Sequence, residues 1–454
     1  MSRDQTLDDS RLHDVSQLRE RILRGAKGPD AILGVGTEHE KIGFANAQGD
    51  PISYFGERGI EALFERLADR FGWERAYDGG YLLALERDGG AITLEPGGQL
   101  ELSGAVFQNV HGTARELENH LQEVYEVGYQ ELGLAYMFAG LNPWHQPDDI
   151  DWLPKPRYTV MKQYLPRVGP LSPWMMKTTA SIQANFDFRD ENDAMEMLRI
   201  AALASPLVTA IFANSPIKQG QRTGLASYRM AIWEETDKAR CGTPAFMLNP
   251  ESTVDDYVDW MLDVPMFFIK RGEDYFDMAG YSFRKFMQEG YQGHQATVGD
   301  WELHMTTSFP DVRLKQFVET RTSDCAKPEH ISALAALWKG IFYDQNARSR
   351  VFDLPLARNY EESEQLIHIA RSEGLDGVFR GNSLRDLASA FIDISSDGLK
   401  NQITEEGDER VFLACLRDAH GVVRSPGESF LRDWERYAGD KEALIGLWGI
   451  EATR

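Results

Sequence analysis

The sequence predicts an α+β fold in which a sheet-rich part precedes a mostly helical part. Residues 181–188 alternate polar and apolar side chains, which is the period-two pattern of a strand with one buried face. From Pro328 onward, apolar residues recur at helical spacing instead. We therefore predict a single unit over residues 1–454, with a sheet-rich core at 30–325 and a helical part at 326–454.

The other elements follow from the same two periodicities. Further strands are predicted at residues 91–94, 99–102, 264–269 and 311–321. Helices are predicted at residues 12–26, 60–71, 117–132 and 253–262. Residues 193–212 predict a buried helix that is interrupted at Pro206, because proline has no N–H group to donate. The turn-rich segment 214–224 fits an ordinary connection as well as a phosphate-approaching loop.

Composition narrows the class of protein. With 454 residues, of which 42% are hydrophobic and 26% charged, the chain can bury a large core. A net charge of -23 argues against nucleic acid or an anionic membrane as a partner. Three widely spaced cysteines indicate a reducing compartment. Since we find neither a signal peptide nor an apolar run near membrane length, we expect a cytoplasmic location.

Two acidic pairs are the most informative local feature. Glu38 and Glu40 lie two residues apart in a predicted strand, so their side chains share one face. Glu95 and Glu101 flank a Pro-Gly-Gly break. Carboxylates gathered on one sheet surface repel each other unless a divalent cation with oxygen ligands, above all Mg²⁺, lies among them. Either pair alone fits a solvated acidic strand face equally well.

Other polar strand faces extend this pattern. Gln183 and Asn185 lie on the polar face of 181–188, and Arg313, Glu319 and Arg321 share one face of 311–321. These arginines fit either a surface ladder or the cationic side of a site for nucleotide and carboxylate, and we assign Arg313 to the nucleotide. Zinc is disfavoured, because the cysteines are dispersed and no HExxH occurs. The residues alone thus fit a metal-nucleotide enzyme but do not single it out.

Seven segments in a fixed order carry a family resemblance. They are GTEHEKIGF, LEPGGQLELSG, PKPRYTVMKQYLPRVG, MMKTTASIQANFDF, FANSPIKQG, LDVPMFF and WELHMTTSFPDVRLKQFVETR. Together they resemble the glutamate–cysteine ligase family of the plant and proteobacterial type. The resemblance implies a glutamine-synthetase-like fold, a curved antiparallel sheet with flanking helices. It also implies ATP-dependent ligation of the γ-carboxylate of glutamate to the amine of cysteine, through a γ-glutamyl phosphate.

The resemblance also assigns roles to individual residues. The implied Mg²⁺ ligands are Glu38, Glu40, Glu95, Glu101, Gln183 and Glu319. Arg157 and Arg229 match contacts to the glutamate carboxylate, and Arg321 matches an arginine near the transferred phosphate. The implied partners are glutamate, cysteine and ATP, and the chain is expected to be a monomer or a homodimer. Disulfide regulation is not carried over, because the cysteines lie outside the segments that match the regulatory cysteines of plant members.

Three alternatives remain open at this point. A metal-dependent phosphohydrolase would also need clustered carboxylates and arginines, but would act without an amino-acid acceptor. A glutamate ligase could use an amine other than cysteine. An acidic scaffold that merely binds metal would not turn over ATP.

Overall fold

The computed structural model describes residues 8–403, 405–437 and 439–453. Its strands are β1 Val35–Phe44, β2 Glu74–Asp78, β3 Tyr81–Arg87, β4 Gly90–Leu94, β5 Leu100–Ser103, β6 Ala135–Met137, β7 Ser181–Phe186, β8 Ile217–Lys218, β9 Gln221–Arg222, β10 Cys241–Gly242, β11 Phe268–Arg271, β12 Asp274–Asp277, β13 Phe309–Pro310, β14 Val312–Leu314, β15 Val318–Asp324, β16 Val378–Phe379 and β17 Asn382–Ser383.

Helices make up most of the remaining structure. They are α1 Ser16–Leu23, α2 Ile60–Phe71, α3 Val110–Val124, α4 Pro156–Val168, α5 Ser172–Thr178, α6 Glu191–Ile211, α7 Tyr228–Glu234, α8 Val254–Asp263, α9 Phe283–Glu289, α10 Val298–Met305, α11 Pro328–Phe342, α12 Gln345–Asp353, α13 Tyr360–Glu373, α14 Leu384–Lys400, α15 Pro426–Tyr437 and α16 Lys441–Trp448. The α+β prediction is confirmed.

A nine-stranded sheet organises the molecule. Its strand order is β14-β15-β7-β1-β5-β4-β3-β2, and β6 pairs with the end of β1. Each of these pairings is antiparallel. Helix α11 packs on one face of β1 and β7, where the ring of Phe342 lies 5.0 Å from that of Phe186. The opposite face of these strands, which carries Gln183 and Asn185, is left for the site.

Helix α6 differs from its prediction because it runs through Pro206 without a break. Every residue from 200 to 211 is buried, between strand β15 and helix α13. Proline inside a helix costs about 3 kcal/mol. Burial of each large apolar side chain contributes about 1.5–3 kcal/mol, so packing outweighs the lost hydrogen bond.

Helix α6 is also the one helix among the described residues with the length and hydropathy of a membrane span. However, 83% of its most apolar window is buried inside the protein, as expected for a core helix.

The segment 311–321 is a hairpin rather than the single strand that was predicted. Strands β14 and β15 are joined by a turn in which the Lys315 N–H donates to the Phe317 carbonyl at 2.9 Å. Arg313 and Glu319 are direct partners across the hairpin. Partners in an antiparallel ladder point to the same side, so the predicted shared face survives the change of topology.

Several element boundaries also differ from the predictions. The strand expected at 264–269 begins only at Phe268 and forms a hairpin with β12. The first helix is shorter than 12–26. Helix α3 begins earlier than expected, because the Asn109 side chain caps it by accepting from the Gly112 N–H, and it continues as a π-helical turn over Tyr125–Glu131. The predictions for residues 1–7, 404, 438 and 454 lie outside the described residues.

Candidate active site

The sheet register assembles the candidate site. Glu40 lies directly opposite Glu101 across β1 and β5, and Glu38 lies opposite Gln183 across β1 and β7. These side chains line a narrow cavity of about 90 Å³, which we call the site cavity. Its walls include all the predicted site residues except Glu319, namely Glu38, Glu40, Glu95, Glu101, Arg157, Gln183, Arg229, Arg313 and Arg321.

A tight turn brings Glu95 to the same cavity. The Gly98 N–H donates to the Glu95 carbonyl at 2.9 Å, which closes the turn between β4 and β5. Gly98 has φ +83°, a left-handed conformation that glycine adopts without strain. A Cβ on Gly97 would lie 2.4 Å from the Lys177 carbonyl oxygen, so that position also requires glycine. The Pro-Gly-Gly break therefore fixes the position of Glu95.

Burial and mutual repulsion perturb the carboxylates of this group. Burial, and then the neighbouring Glu101, raise the pKa of Glu40 to about 7, although the Ser181 N–H and hydroxyl each donate to its carboxylate at 2.8 Å. Burial, Glu101 and Glu40 raise the pKa of Glu95 to about 8. Carboxylates that crowd together in this way favour either protonation or a bound cation.

The donor set fits a hard cation. Glu40, Glu95 and Glu101 offer only oxygen atoms, which Mg²⁺ prefers and structural zinc does not. Within residues 8–403, 405–437 and 439–453, however, no three His, Cys, Asp or Glu side chains already lie at metal-ligand spacing. Protein donors also occupy some of the carboxylate oxygens. Thr93 donates to Glu101 at 2.7 Å, and Asn185 donates to Glu38 at 2.8 Å.

Glu319 does not line the site cavity and is enclosed by cations. Arg313 binds both of its carboxylate oxygens, at 3.0 and 2.7 Å, and Arg321 also donates to it. Lys315 lies 3.3 Å away. Burial opposes ionisation of Glu319, but these three cations together hold its pKa well below the ordinary value. Glu319 is therefore charged, and its oxygens are directed at protein cations.

Arg313 is itself held by contacts within the protein, including those with Glu319. Its remaining Nη1 donates to the carbonyls of Thr306 and Ser308, at 3.2 and 3.0 Å. Most of its N–H groups are thus used inside the protein, which suits a residue that holds Glu319 in place. Direct contact between Arg313 and a nucleotide stays a prediction.

Arg157 and Arg229 each present an unused donor. Both side chains are buried, and the Nε of each has no hydrogen-bond partner in the described part of the chain. The other nitrogens of Arg229 donate to the carbonyls of Thr322 and Arg321, both at 3.2 Å. A buried guanidinium with a free donor beside a cavity is suited to bind an anionic group.

Asp324 is a buried partner of Arg229 that the sequence analysis missed. Its carboxylate accepts from the Asn214 N–H at 2.8 Å, and from the hydroxyls of Ser215 and Ser227 at 2.6 and 3.0 Å. It lies 3.7 Å from the Arg229 guanidinium. Ser215 also accepts from the Arg229 backbone N–H at 3.0 Å, so this network fixes both ends of Arg229.

A β-bulge explains why the two-residue alternation of the strand did not reveal Asp324. Glu319 pairs with Asn185 and Asp324 pairs with Ser181, so β15 has one more residue than β7 between these pairs. The extra residue reverses the alternation, and Asp324 joins the face of Glu319 although their separation is odd.

A cavity much larger than the site cavity lies away from this site. It has a volume of about 960 Å³ and lies at the N-terminus of α6. Its charged groups neutralise one another, as in the Arg348 ion pairs with Asp193 and Glu196, both at 2.7 Å. Size alone therefore does not identify the site here.

Comparisons with known proteins identify the family of this chain. Residues 34–443 match the Glutamate-cysteine ligase family 2. The chain is 37% identical over 414 residues to a chloroplastic glutamate–cysteine ligase of Medicago truncatula, covering 90% of this chain and 80% of that protein. It is 38% identical over 420 residues to the chloroplastic glutamate–cysteine ligase B of Oryza sativa subsp. japonica, covering 91% and 82%. The chain therefore belongs to the glutamate–cysteine ligase family.

Solved structures support the fold. The glutamate–cysteine ligase of Francisella tularensis, in complex with AMP, superposes with a TM-score of 0.55 at 12% identity, over 92% of this chain and 87% of that chain. A bifunctional glutathione synthetase of Pasteurella multocida gives a TM-score of 0.54, also at 12% identity, over 92% of this chain and 52% of that chain. The predicted ligase fold, an antiparallel sheet with flanking helices, is confirmed.

The predicted cytoplasmic location is wrong by these comparisons, because the plant relatives carry chloroplastic names. The physical reason is that a low cysteine count indicates a reducing compartment without distinguishing one such compartment from another.

Proposed function

We propose that this chain joins the γ-carboxylate of L-glutamate to the amine of L-cysteine and converts ATP to ADP and phosphate. The product is γ-glutamylcysteine, and the reaction is the first step of glutathione biosynthesis. The observation that carries the proposal is the register of the sheet, which gathers Glu38, Glu40 and Glu101 on one face. The arginines of the site cavity and the family membership agree with it.

Two arginines are proposed to bind glutamate. Arg157 and Arg229 line the site cavity, and each has an unpartnered Nε that can donate to a carboxylate. Bidentate pairing by a planar guanidinium orients an amino acid as well as binding it. The glutamate γ-carboxylate would then face the acidic side of the cavity, where the phosphoryl group must arrive.

Mg²⁺ is proposed to bind the acidic side of the cavity. Glu40, Glu95 and Glu101 would hold one ion, and Glu38, Gln183 and Glu319 are the candidates for a second. When bound, Mg²⁺ neutralises phosphate oxygens and stabilises the charge that develops during phosphoryl transfer. Glu319 can join a metal only if Arg313 or Arg321 gives up part of its contact with it.

Arg321 is proposed to act on the transferred phosphoryl group. It donates to Gln183 at 2.8 Å and to Glu319, and it lines the site cavity. These contacts hold a positive group where an anionic carboxylate must approach an anionic triphosphate. The solved ligase in complex with AMP supports an adenine nucleotide as co-substrate.

The chemistry requires two displacements. A γ-carboxylate oxygen attacks the terminal phosphorus of ATP, ADP leaves, and γ-glutamyl phosphate forms. The cysteine nitrogen then attacks the acyl carbon, phosphate leaves and the nitrogen loses a proton. The acyl phosphate is sensitive to water, so a closed cavity protects it. At about 90 Å³ the site cavity is smaller than usual ligand pockets, and its walls must move apart when substrates bind.

One measurement tests the proposal directly. ADP release is followed with ATP, Mg²⁺ and glutamate, with and without cysteine and with a panel of other amines. We expect fast release only when both amino acids are present. Fast release without glutamate would indicate a phosphohydrolase instead, and a better amine than cysteine would reassign the acceptor. Glu40→Gln should lower kcat more than it changes KM, because the lost charge acts mainly in the transition state.

A further inference from the structure

A second cavity lies next to the site cavity and shares Trp233 with it. It has a volume of about 480 Å³, and we call it the outer chamber. Trp233, Trp260 and Tyr360 supply aromatic walls, and Asp311 and Glu364 supply carboxylates. Its volume is within the range of small-molecule binding sites.

A narrow passage separates the two cavities. This space of about 20 Å³ is lined by Arg229, Trp233, Asp311 and Arg321, among others. Arg229, Trp233 and Arg321 also line the site cavity. Trp233 and Asp311 also line the outer chamber. The passage thus shares walls with both spaces, and Trp233 borders all three.

Trp233 is suited to act as a movable wall. Its indole N–H is buried and has no hydrogen-bond partner among the described residues. Ring contacts hold it instead, with Phe309 at 5.7 Å between centroids and the Arg229 guanidinium at 5.8 Å. Rotation of the indole therefore breaks no hydrogen bond. Arg229, which is proposed above to bind glutamate, lines both the passage and the site cavity, so a ligand that leaves the passage arrives beside the glutamate site.

The charge of the outer chamber favours one of the three substrates. Glu234, Glu235, Glu364 and Asp311 line it, against Lys238 as the one basic residue among the described lining residues. Glu234 pairs with Arg371 at 2.8 Å, and Asp311 has Arg229 and Arg321 beside it at the passage. Among the described residues, Glu235 and Glu364 form no ion pair, so the chamber away from the passage keeps a negative charge. Acidic walls disfavour the anions ATP and glutamate and attract an ammonium group. The amine acceptor is the one substrate without a net negative charge.

We propose that the outer chamber is the binding site from which the amine acceptor enters the site cavity, with its ammonium group held by Asp311. This inference rests on the proposed function. Three hydrogen bonds hold Asp311 in place. Its N–H donates to the Gly242 carbonyl at 2.9 Å, its carbonyl accepts from the Arg321 N–H at 3.1 Å, and its carboxylate accepts from Thr243 at 2.6 Å. Its position at the inner end of the chamber brings the acceptor to the passage.

The test compares KM values for the three substrates in charge-neutral variants. Asp311→Asn should raise the KM for cysteine about tenfold or more, as expected for loss of one charge-assisted hydrogen bond, with the KM for ATP and for glutamate unchanged. Glu364→Gln, at an exposed position, should raise the cysteine KM about two- to fivefold without risk to folding. Glu361→Gln is the matched control, because Glu361 is exposed on the same helix and lies outside the chamber lining.

The outcomes separate this inference from the proposed function. A cysteine KM that does not change in Asp311→Asn and Glu364→Gln, in an enzyme that needs cysteine for fast ADP release, overturns the chamber assignment alone. A selective rise in the KM for ATP overturns it too, and indicates that the aromatic walls receive the nucleotide. A wild-type protein whose ADP release is independent of glutamate and cysteine contradicts the proposed function itself.

Discussion

Replacement of Asp324 by asparagine tests the network around Arg229. The substitution keeps the side-chain shape but removes the charge and turns one oxygen into an NH₂ donor. In the structure, the Asn214 N–H and the Ser215 hydroxyl donate to one oxygen, while Ser227 and Arg229 approach the other. An amide can satisfy one of these sides at most, so Arg229 loses its buried counterion.

The size of the effect follows from these contacts. Removal of one partner of a buried ion pair costs about 3–5 kcal/mol, because the remaining charge stays uncompensated. Loss of a single neutral hydrogen bond, as in Ser227→Ala, costs about 1 kcal/mol. We expect Asp324→Asn to lower the free energy of unfolding by about 3 kcal/mol or more. Misplacement of Arg229 should also raise the KM for glutamate about tenfold, and the KM for ATP much less.

Urea unfolding followed by circular dichroism, with steady-state kinetics on the folded protein, measures both effects. Asp393→Asn is the matched control, because Asp393 pairs with Arg417 at 2.8 Å on the surface, with the Asp393 side chain 64% exposed. A surface pair of this kind is worth at most about 1 kcal/mol. If Asp324→Asn unfolds at the same urea concentration as the Asp393 control, and binds glutamate normally, the network does not position Arg229.

Three further predictions concern binding, pH and redox state. Arg229→Lys should raise the KM for glutamate far more than the KM for ATP in steady-state assays, because lysine cannot pair bidentately, and equal effects on both substrates would remove the assigned role. The raised pKa of Glu95, about 8 against an ordinary 4.5, means that the folded state holds a proton that the unfolded state releases. Without metal, the free energy of unfolding should therefore fall between about pH 5 and 8, by at most about 5 kcal/mol. Thermal melts should show that added Mg²⁺ reverses much of this loss. A melting temperature that does not change with pH in the presence of a chelator would contradict the crowding of carboxylates. Activity should be the same after oxidant or reductant, with substrate thiol kept reduced, because all three cysteines are free thiols and burial raises the pKa of each one. Reversible activation by oxidation that a Cys→Ser variant abolishes would refute this last expectation.

The sequence determined the composition of the site face. Strand alternation placed Glu38 with Glu40 and Gln183 with Asn185, and the structure keeps each pair on one side of its strand. The sequence predicts these pairs because side-chain direction in a regular strand depends only on local geometry. The glycine-containing break before Glu101 was likewise readable, since a tight turn requires a backbone that glycine adopts easily.

The tertiary structure decided which strands are neighbours and where the alternation fails. Glu40 meets Glu101 only because β1 pairs with β5, and no local pattern specifies that register. The bulge that turns Asp324 toward Arg229, and the packing that keeps α6 helical through Pro206, are both set by contacts between distant segments. Such contacts outweigh local preferences because burial of a few apolar side chains is worth more than the hydrogen bond lost at a proline.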